Sequence, residues 1–326
     1  MLSINKNDTG RWKQDIRDSV DYYNNWFISS APAVFRDKRR EALDAVNTAM
    51  AATSNFCVIT PSVLMDNPGI LPTLRMATCP PIARDRLVGL SNVSKNLITN
   101  MEKDSSLPPK MDKGTLNAEL NDVCNTIVKL LDKDLFPWID DEFSITDGDL
   151  EKASIVIADR LCGAVSDPII RNAQEQRQLE CIKAWLISNG YIYQKPECKS
   201  IKDMKPGTFV FRHNVEAFVG ELGEDGSSEK TVNIPVDVLV KRKDTSYSYP
   251  LFIEAKSAGD FTNTNKRRKE EAQKVAQLNS TFEKDNVDFI LFLSGYFDAG
   301  YLGYEAAEGI DWVWEHRVSD LKKAGL

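Results

Sequence analysis

Three charged residues stand where the sequence otherwise spells buried strands: Asp237, Glu254 and Lys256. They lie in Val-Asn-Ile-Pro-Val-Asp-Val-Leu-Val-Lys (232–241) and Tyr-Pro-Leu-Phe-Ile-Glu-Ala-Lys-Ser (249–257), with a polar turn around Lys243-Asp244-Thr245-Ser246 between them. β-Branched and aromatic residues bounded by turn signals predict two strands that pair as antiparallel neighbours. Side chains alternate along a strand, so Glu254 and Lys256 share one face, and Asp237 joins them there if the strands pair. Two carboxylates and an ammonium on an apolar face are costly to desolvate. The chemistry that uses such a set is a divalent ion such as Mg²⁺, held by carboxylate oxygens against a phosphate. The lysine then orients or deprotonates an attacking water and offsets developing charge. The bland alternative is a solvated strand face with a cross-strand Glu–Lys pair. The apolar flanks and the aspartate on the preceding strand favour the metal site.

The elements that must position these residues read as follows. A helix starts at Asp167-Pro168 and runs from Ile169 to Ser188, closed by Asn189-Gly190. Its apolar line is Leu179, Ile182, Trp185 and Leu186; at 100° per residue Glu175 falls on that line and Glu180 nearly opposite. A glutamate on a buried side needs a partner. Tyr191-Ile192-Tyr193 is a short strand, and residues 209–218 and 232–241 form a hairpin. After the Glu254–Lys256 strand, residues 266–284 form a helix with Ala272, Val275, Leu278 and Phe282 on one face. Residues 287–293 and 311–314 are further strands, joined by a connection from Tyr296 to Gly309, and a last helix covers 317–323. His213 and His316 are read as hydrogen-bonded structural residues.

Before residue 166 the chain predicts helices: one over 12–28, a second opened by the basic cluster Arg36–Arg40, short helices among the prolines of 57–95, a loop at 103–113, a helix carrying Leu116, Leu120, Val123, Ile127 and Leu130, and another from Leu150 to Cys162. The basic cluster is most simply a solvated helix face, with phosphate contact as the other reading. The expected organisation is a helical region over 1–165 and an α/β domain over 166–326. That domain is a mixed central β-sheet flanked by helices.

The pair Pro235-Val236-Asp237 and Glu254-Ala255-Lys256 resembles the PD-(D/E)XK nuclease motif, with the proline one place earlier than the motif's name implies. With Ile253-Glu254-Ala255-Lys256-Ser257-Ala258-Gly259-Asp260 and the basic run that follows, the chain resembles type II restriction endonucleases, the XamI group among them. The resemblance is firmest over about residues 165–320. It implies a restriction-endonuclease-like core that hydrolyses double-stranded DNA with Mg²⁺ and leaves 5′-phosphate and 3′-hydroxyl ends. It also implies Asp237, Glu254 and the Ala255 carbonyl as metal ligands, Lys256 as the water-positioning base, and a helical glutamate near the metal. Glu175 is the candidate for that glutamate, against an ion pair with Arg171 or another base; Glu180 is the reserve. A homodimer on a palindromic site and a cognate methyltransferase are the implied partners. The rival readings are a structure- or damage-specific nuclease of the same fold and a non-catalytic DNA- or protein-binding module.

The basic run sits at a helix start, where cations oppose the helix dipole and a phosphate would relieve the conflict. Asn263, Asn265, Lys266, Arg267, Arg268 and Lys269 are the candidate DNA contacts, against a solvated charged helix end neutralised by Glu270 and Glu271; asparagine and arginine also read adenine and guanine edges. The 326-residue chain has a net charge of −7 and a pI near 5.2, which argues against indiscriminate coating of nucleic acid. Residues 266–274 alone carry +3. Six dispersed cysteines without a Cys-x-x-Cys read as reduced core thiols of a cytoplasmic protein. No apolar run suggests a membrane span or a secretion signal.

Overall fold

A computed structural model of the chain describes residues 2–139, 145–195, 201–219, 230–262, 264–282 and 287–326, with backbone alone at 164–167, 169, 218, 219, 230, 231, 264–270 and 280. The helices and strands, in chain order, are α1 (Thr9–Ala52), α2 (Pro61–Asp66), α3 (Leu71–Met76), α4 (Arg84–Ser91), α5 (Lys95–Asp104), α6 (Lys113–Leu130), α7 (Asp147–Ser188), β1 (Ile192–Tyr193), β2 (Thr208–Val219), β3 (Lys230–Val240), β4 (Leu251–Ala258), α8 (Thr264–Thr281), β5 (Phe289–Gly295), α9 (Ala299–Ala307) and β6 (Asp311–Trp314). A 3₁₀ segment, Glu315–Ala324, stands where a last helix was expected.

The chain divides into two compact units. One holds Met1–Ala31 and Ile170–Leu326, the other Pro32–Ile169. The expected boundary at 165 lies within α7, close to Ile170, while the first 31 residues cluster with the C-terminal part. Asp311 explains that: its buried carboxylate accepts the backbone N–H groups of Ile4 (2.6 Å), Asn5 (2.9 Å) and Lys6 (3.0 Å). Arg317 Nη1 donates to both carboxylate oxygens of Asp15 in α1, at 2.8 and 2.7 Å.

Two helices are longer than the sequence predicts. α1 runs 44 residues through Pro32, and α7 runs 42 residues through Pro168. The sequence predicts a helix start at Asp167-Pro168 and separate helices on either side of Pro32. A proline removes one N–H from the helix ladder, but its fixed φ is itself helical, so packing on either side can carry the helix through. Both prolines stand at a change of unit. The expected connection 296–309 contains α9, because Asp298 caps it by accepting the Tyr301 N–H at 2.7 Å.

In the first unit six strands lie side by side in sequence order. The β2–β3 and β3–β4 pairs are antiparallel; β1–β2, β4–β5 and β5–β6 are parallel. This is a mixed α/β sheet. One face packs on α8 and α9 through Leu278, Tyr301 and Leu302, with Phe252, Leu291 and Trp312 from the sheet. The other packs on α7 through Leu179, Ile182 and Leu186, with Val238, Ile253 and Phe292 from the sheet. Strands covered on both faces read as near-continuous apolar runs, as Phe289–Leu293 does.

In the second unit the core gathers Val46, Leu64, Leu74, Leu97, Leu120, Val123, Ile127 and Ile157. α6 follows its stripe, and Asp112 caps it by accepting the Thr115 N–H at 2.9 Å. The basic cluster on α1 is neutralised locally: Arg39 pairs with Asp159 (3.0 Å), Arg40 with Asp37 (2.7 Å) and Lys38 with Glu41 (2.6 Å). Of the cysteines, Cys124 and Cys162 are core thiols, but Cys57 and Cys79 are exposed, and the described ones are all free.

Candidate active site

The β3–β4 ladder pairs Val240 with Leu251, Leu239 with Phe252 and Val238 with Ile253. One further step along that register sets Asp237 opposite Glu254. There the backbone ladder gives way to a side chain: Asp237 Oδ2 accepts the Ala255 N–H at 2.8 Å. An aspartate at this position thus satisfies a backbone donor that the diverging strands would leave unpaired. Opposed residues of an antiparallel pair share a face. Asp237, Glu254 and Lys256 consequently converge, with Lys256 Nζ 3.2 Å from Glu254 Oε1.

Two residues from α8 complete the cluster. Glu271 lies with Oε1 3.2 Å from Lys256 Nζ, and Lys274 Nζ lies 2.7 Å from Glu254 Oε2. They stand three residues apart, on one helix face. Glu254 is 8% exposed and Glu271 1%. Sequence reasoning placed Glu271 at a charged helix end and passed over Lys274. The signal was available: Glu271 falls on the helical line of Val275 and Leu278, the same test that selected Glu175.

Charge and burial set the protonation of the cluster. Burial raises the Asp237 carboxyl from its ordinary 3.8 to about 6, and the neighbouring Glu254 pushes the same way, against the Ala255 N–H and the two lysines. Burial alone would lower the Lys256 ammonium, but the Glu254 and Glu271 carboxylates outweigh it and hold it above an ordinary lysine. Burial also raises the Glu271 carboxyl, with Lys256 pulling it back.

α7 fixes the far end of β4. Gln178 Nε2 donates to the carbonyls of Lys256 (3.1 Å) and Phe292 (3.0 Å), and Ser257 Oγ donates to Gln174 Oε1 at 3.1 Å. Neither glutamine was marked in the sequence. Glu175 is not brought into the Asp237–Lys256 cluster. It pairs with Arg212 of β2 at 2.9 Å, so the ion-pair alternative describes the contact present here, with Arg212 instead of Arg171. Glu180 faces outward and pairs with Lys183 at 3.6 Å. Asn263 lies outside the described residues. Asn265, Lys266, Arg267, Arg268 and Lys269 fall in the first turns of α8, with their side chains outside the described set.

The donor set suits a hard divalent cation. Asp237 and Glu254 offer carboxylate oxygens on one face, and Asp237 Oδ1 has no hydrogen-bond partner among the described residues. A lysine held beside such a pair can act on a water or a charged oxygen.

Comparison with known proteins places the chain. The family model of the XamI restriction endonuclease matches residues 54–314. The chain is 49% identical over 324 residues to the type II restriction enzyme SalI of Streptomyces albus G, covering 99% of both chains. No solved structure matches. Among the described residues no helix is long and apolar enough to cross a membrane.

Proposed function

As this chain belongs to the XamI restriction endonuclease family, we propose that it cuts double-stranded DNA at a specific sequence by Mg²⁺-dependent hydrolysis centred on Asp237, Glu254 and Lys256. The observation that carries the assignment is Asp237 Oδ2 accepting the Ala255 N–H at 2.8 Å, next to Glu254, with Lys256 3.2 Å from the Glu254 carboxylate.

Asp237, Glu254 and the Ala255 carbonyl would hold the metal, which when bound supplies charge for the phosphate oxygens and lowers the pKa of a water. Lys256, kept protonated by Glu254 and Glu271, offers an N–H to the attacking water or to the phosphate oxygen on which charge develops. Attack in line on phosphorus with the 3′-oxygen leaving gives 5′-phosphate and 3′-hydroxyl ends. Glu175 would join the centre only if its pair with Arg212 opens.

Asn263, Asn265, Lys266, Arg267, Arg268 and Lys269, at and before the start of α8, are our candidates for contact with DNA phosphates and base edges. We further read the enzyme as a cytoplasmic homodimer matching a palindromic site, paired with a methyltransferase that protects host DNA. The helical region then serves dimerisation, DNA embrace, or both.

The test is incubation of the purified protein with phage DNA, with and without Mg²⁺. Discrete fragments that appear only with the metal and vanish in Asp237→Asn support the assignment. Nicks confined to branched or damaged DNA point to a structure-specific nuclease. Equal cleavage by Asp237→Asn removes these residues from the chemistry.

A further inference from the structure

Two ammonium groups already hold the carboxylate of Glu254: Oε1 is held by Lys256 at 3.2 Å and Oε2 by Lys274 at 2.7 Å. Of the Asp237 oxygens, Oδ2 accepts the Ala255 N–H at 2.8 Å, and Oδ1 has no hydrogen-bond partner among the described residues. A cation shared by the two carboxylates therefore meets one open oxygen on Asp237 and an occupied carboxylate on Glu254.

The two lysines differ in what they would lose by yielding. Lys256 is also 3.2 Å from Glu271, a carboxylate 1% exposed, and its departure would strand that buried charge. Lys274 has Glu254 as its one ion-pair partner among the described residues. A lysine's compact charge sits on a flexible four-carbon stem that can swing toward water. An ammonium and a divalent cation cannot comfortably share an oxygen of a carboxylate that is 8% exposed, because their repulsion is weakly screened there. Without either cation, the Asp237 and Glu254 carboxylates repel across the strand pair.

We propose that Lys274 occupies, in the metal-free protein, the place on Glu254 that the divalent ion takes, so that loading the centre exchanges an ammonium for a metal. This rests on the metal-centre reading above. The lysine neutralises the carboxylates while the centre waits and lowers the affinity for free metal below what the oxygens alone would give. It is a determinant of metal affinity and acts through Glu254.

The test is titration of the full chain with Mn²⁺ alone, without DNA, counting free ion by its electron paramagnetic resonance signal. Lys274→Met keeps the stem and removes the charge; it should bind Mn²⁺ about tenfold more tightly than wild type, or better. Lys274→Arg keeps the charge and should stay within about threefold of wild type. Asp237→Asn should lose the binding. If Lys274→Met fails to fold by circular dichroism, Lys274→Gln takes its place. Binding by the uncharged variant alone, with wild type below detection, also supports the exchange. Lys274→Met binding no tighter than wild type, with Asp237→Asn still abolishing it, overturns the exchange and leaves the metal centre standing. Binding indifferent to Asp237→Asn removes the metal centre and the exchange together, and no binding by any variant overturns the exchange.

Discussion

Asp237→Asn should make the metal-free protein more stable at neutral pH while destroying its activity. The carboxyl is raised from 3.8 to about 6, first by burial and then by Glu254. The folded protein thus holds this proton more tightly than the unfolded chain does. Ionising the group costs folding free energy: nothing well below 3.8, a growing amount between 3.8 and about 6, and the full amount above that. A shift of about two units at about 1.4 kcal/mol each gives an upper figure near 3 kcal/mol. Partial solvent screening of a half-buried side chain brings the expectation to about 1–3 kcal/mol. Asparagine retains an oxygen for the Ala255 N–H, so the change removes charge and little else. The assay is thermal unfolding in EDTA from pH 4 to pH 8, comparing midpoints because two units need not melt as one. The variant's advantage should be small near pH 4 and largest above pH 7, and Mg²⁺ should restore stability to wild type alone. A variant less stable than wild type at pH 8, or a difference that ignores pH, would refute the electrostatic account.

Lys256→Met should abolish cleavage and also cost about 3 kcal/mol, because Glu271 and Glu254 lose a counter-ion. Adding Glu271→Gln should return much of the stability and none of the cleavage, read as a double-mutant cycle in urea. Arg177 joins α1 to the sheet: it pairs with the buried Glu315 at 2.5 Å, donates to Ser294 Oγ at 3.0 Å and lies 4.6 Å over the Trp26 ring. Arg177→Met should therefore cost about 3 kcal/mol or more, with Glu315 left charged and buried, and a change below about 1 kcal/mol would count against it. Gly295 ends β5 at φ +96°, and a Cβ there would come within 2.1 Å of the Ala258 carbonyl oxygen. Gly295→Ala should cost about 2 kcal/mol or more and shift the end of β4, visible as faster amide exchange at Ser257 and Ala258.

The strands were legible because their signals are local. Val232–Lys241 and Tyr249–Ser257 carry β-branched runs bounded by turn residues, and the charges of Asp237, Glu254 and Lys256 interrupt those runs in a way burial does not tolerate idly. Helix continuity was not legible. Pro32 and Pro168 carry a local stop signal, and only packing on both sides shows that α1 and α7 pass through them. Glu175 and Glu271 pass the same test of a glutamate on an apolar helical line. The test cannot say which element lies across from the line. α8 brings Glu271 to Lys256, whereas Glu175 meets Arg212. Gln174 and Gln178 carry no charge to betray them, and their part emerges only from the carbonyls and hydroxyl they meet. The basic cluster of Arg39 and Arg40 shows the converse, a charge run resolved into neighbouring acids.

The measurement that bears most directly on the central claim is anomalous diffraction from crystals of the protein soaked in Mn²⁺. A peak about 2–2.3 Å from oxygens of both Asp237 and Glu254, absent in Asp237→Asn, is the predicted result. A metal bound elsewhere in a protein that still cleaves DNA, with these two carboxylates untouched, would contradict it.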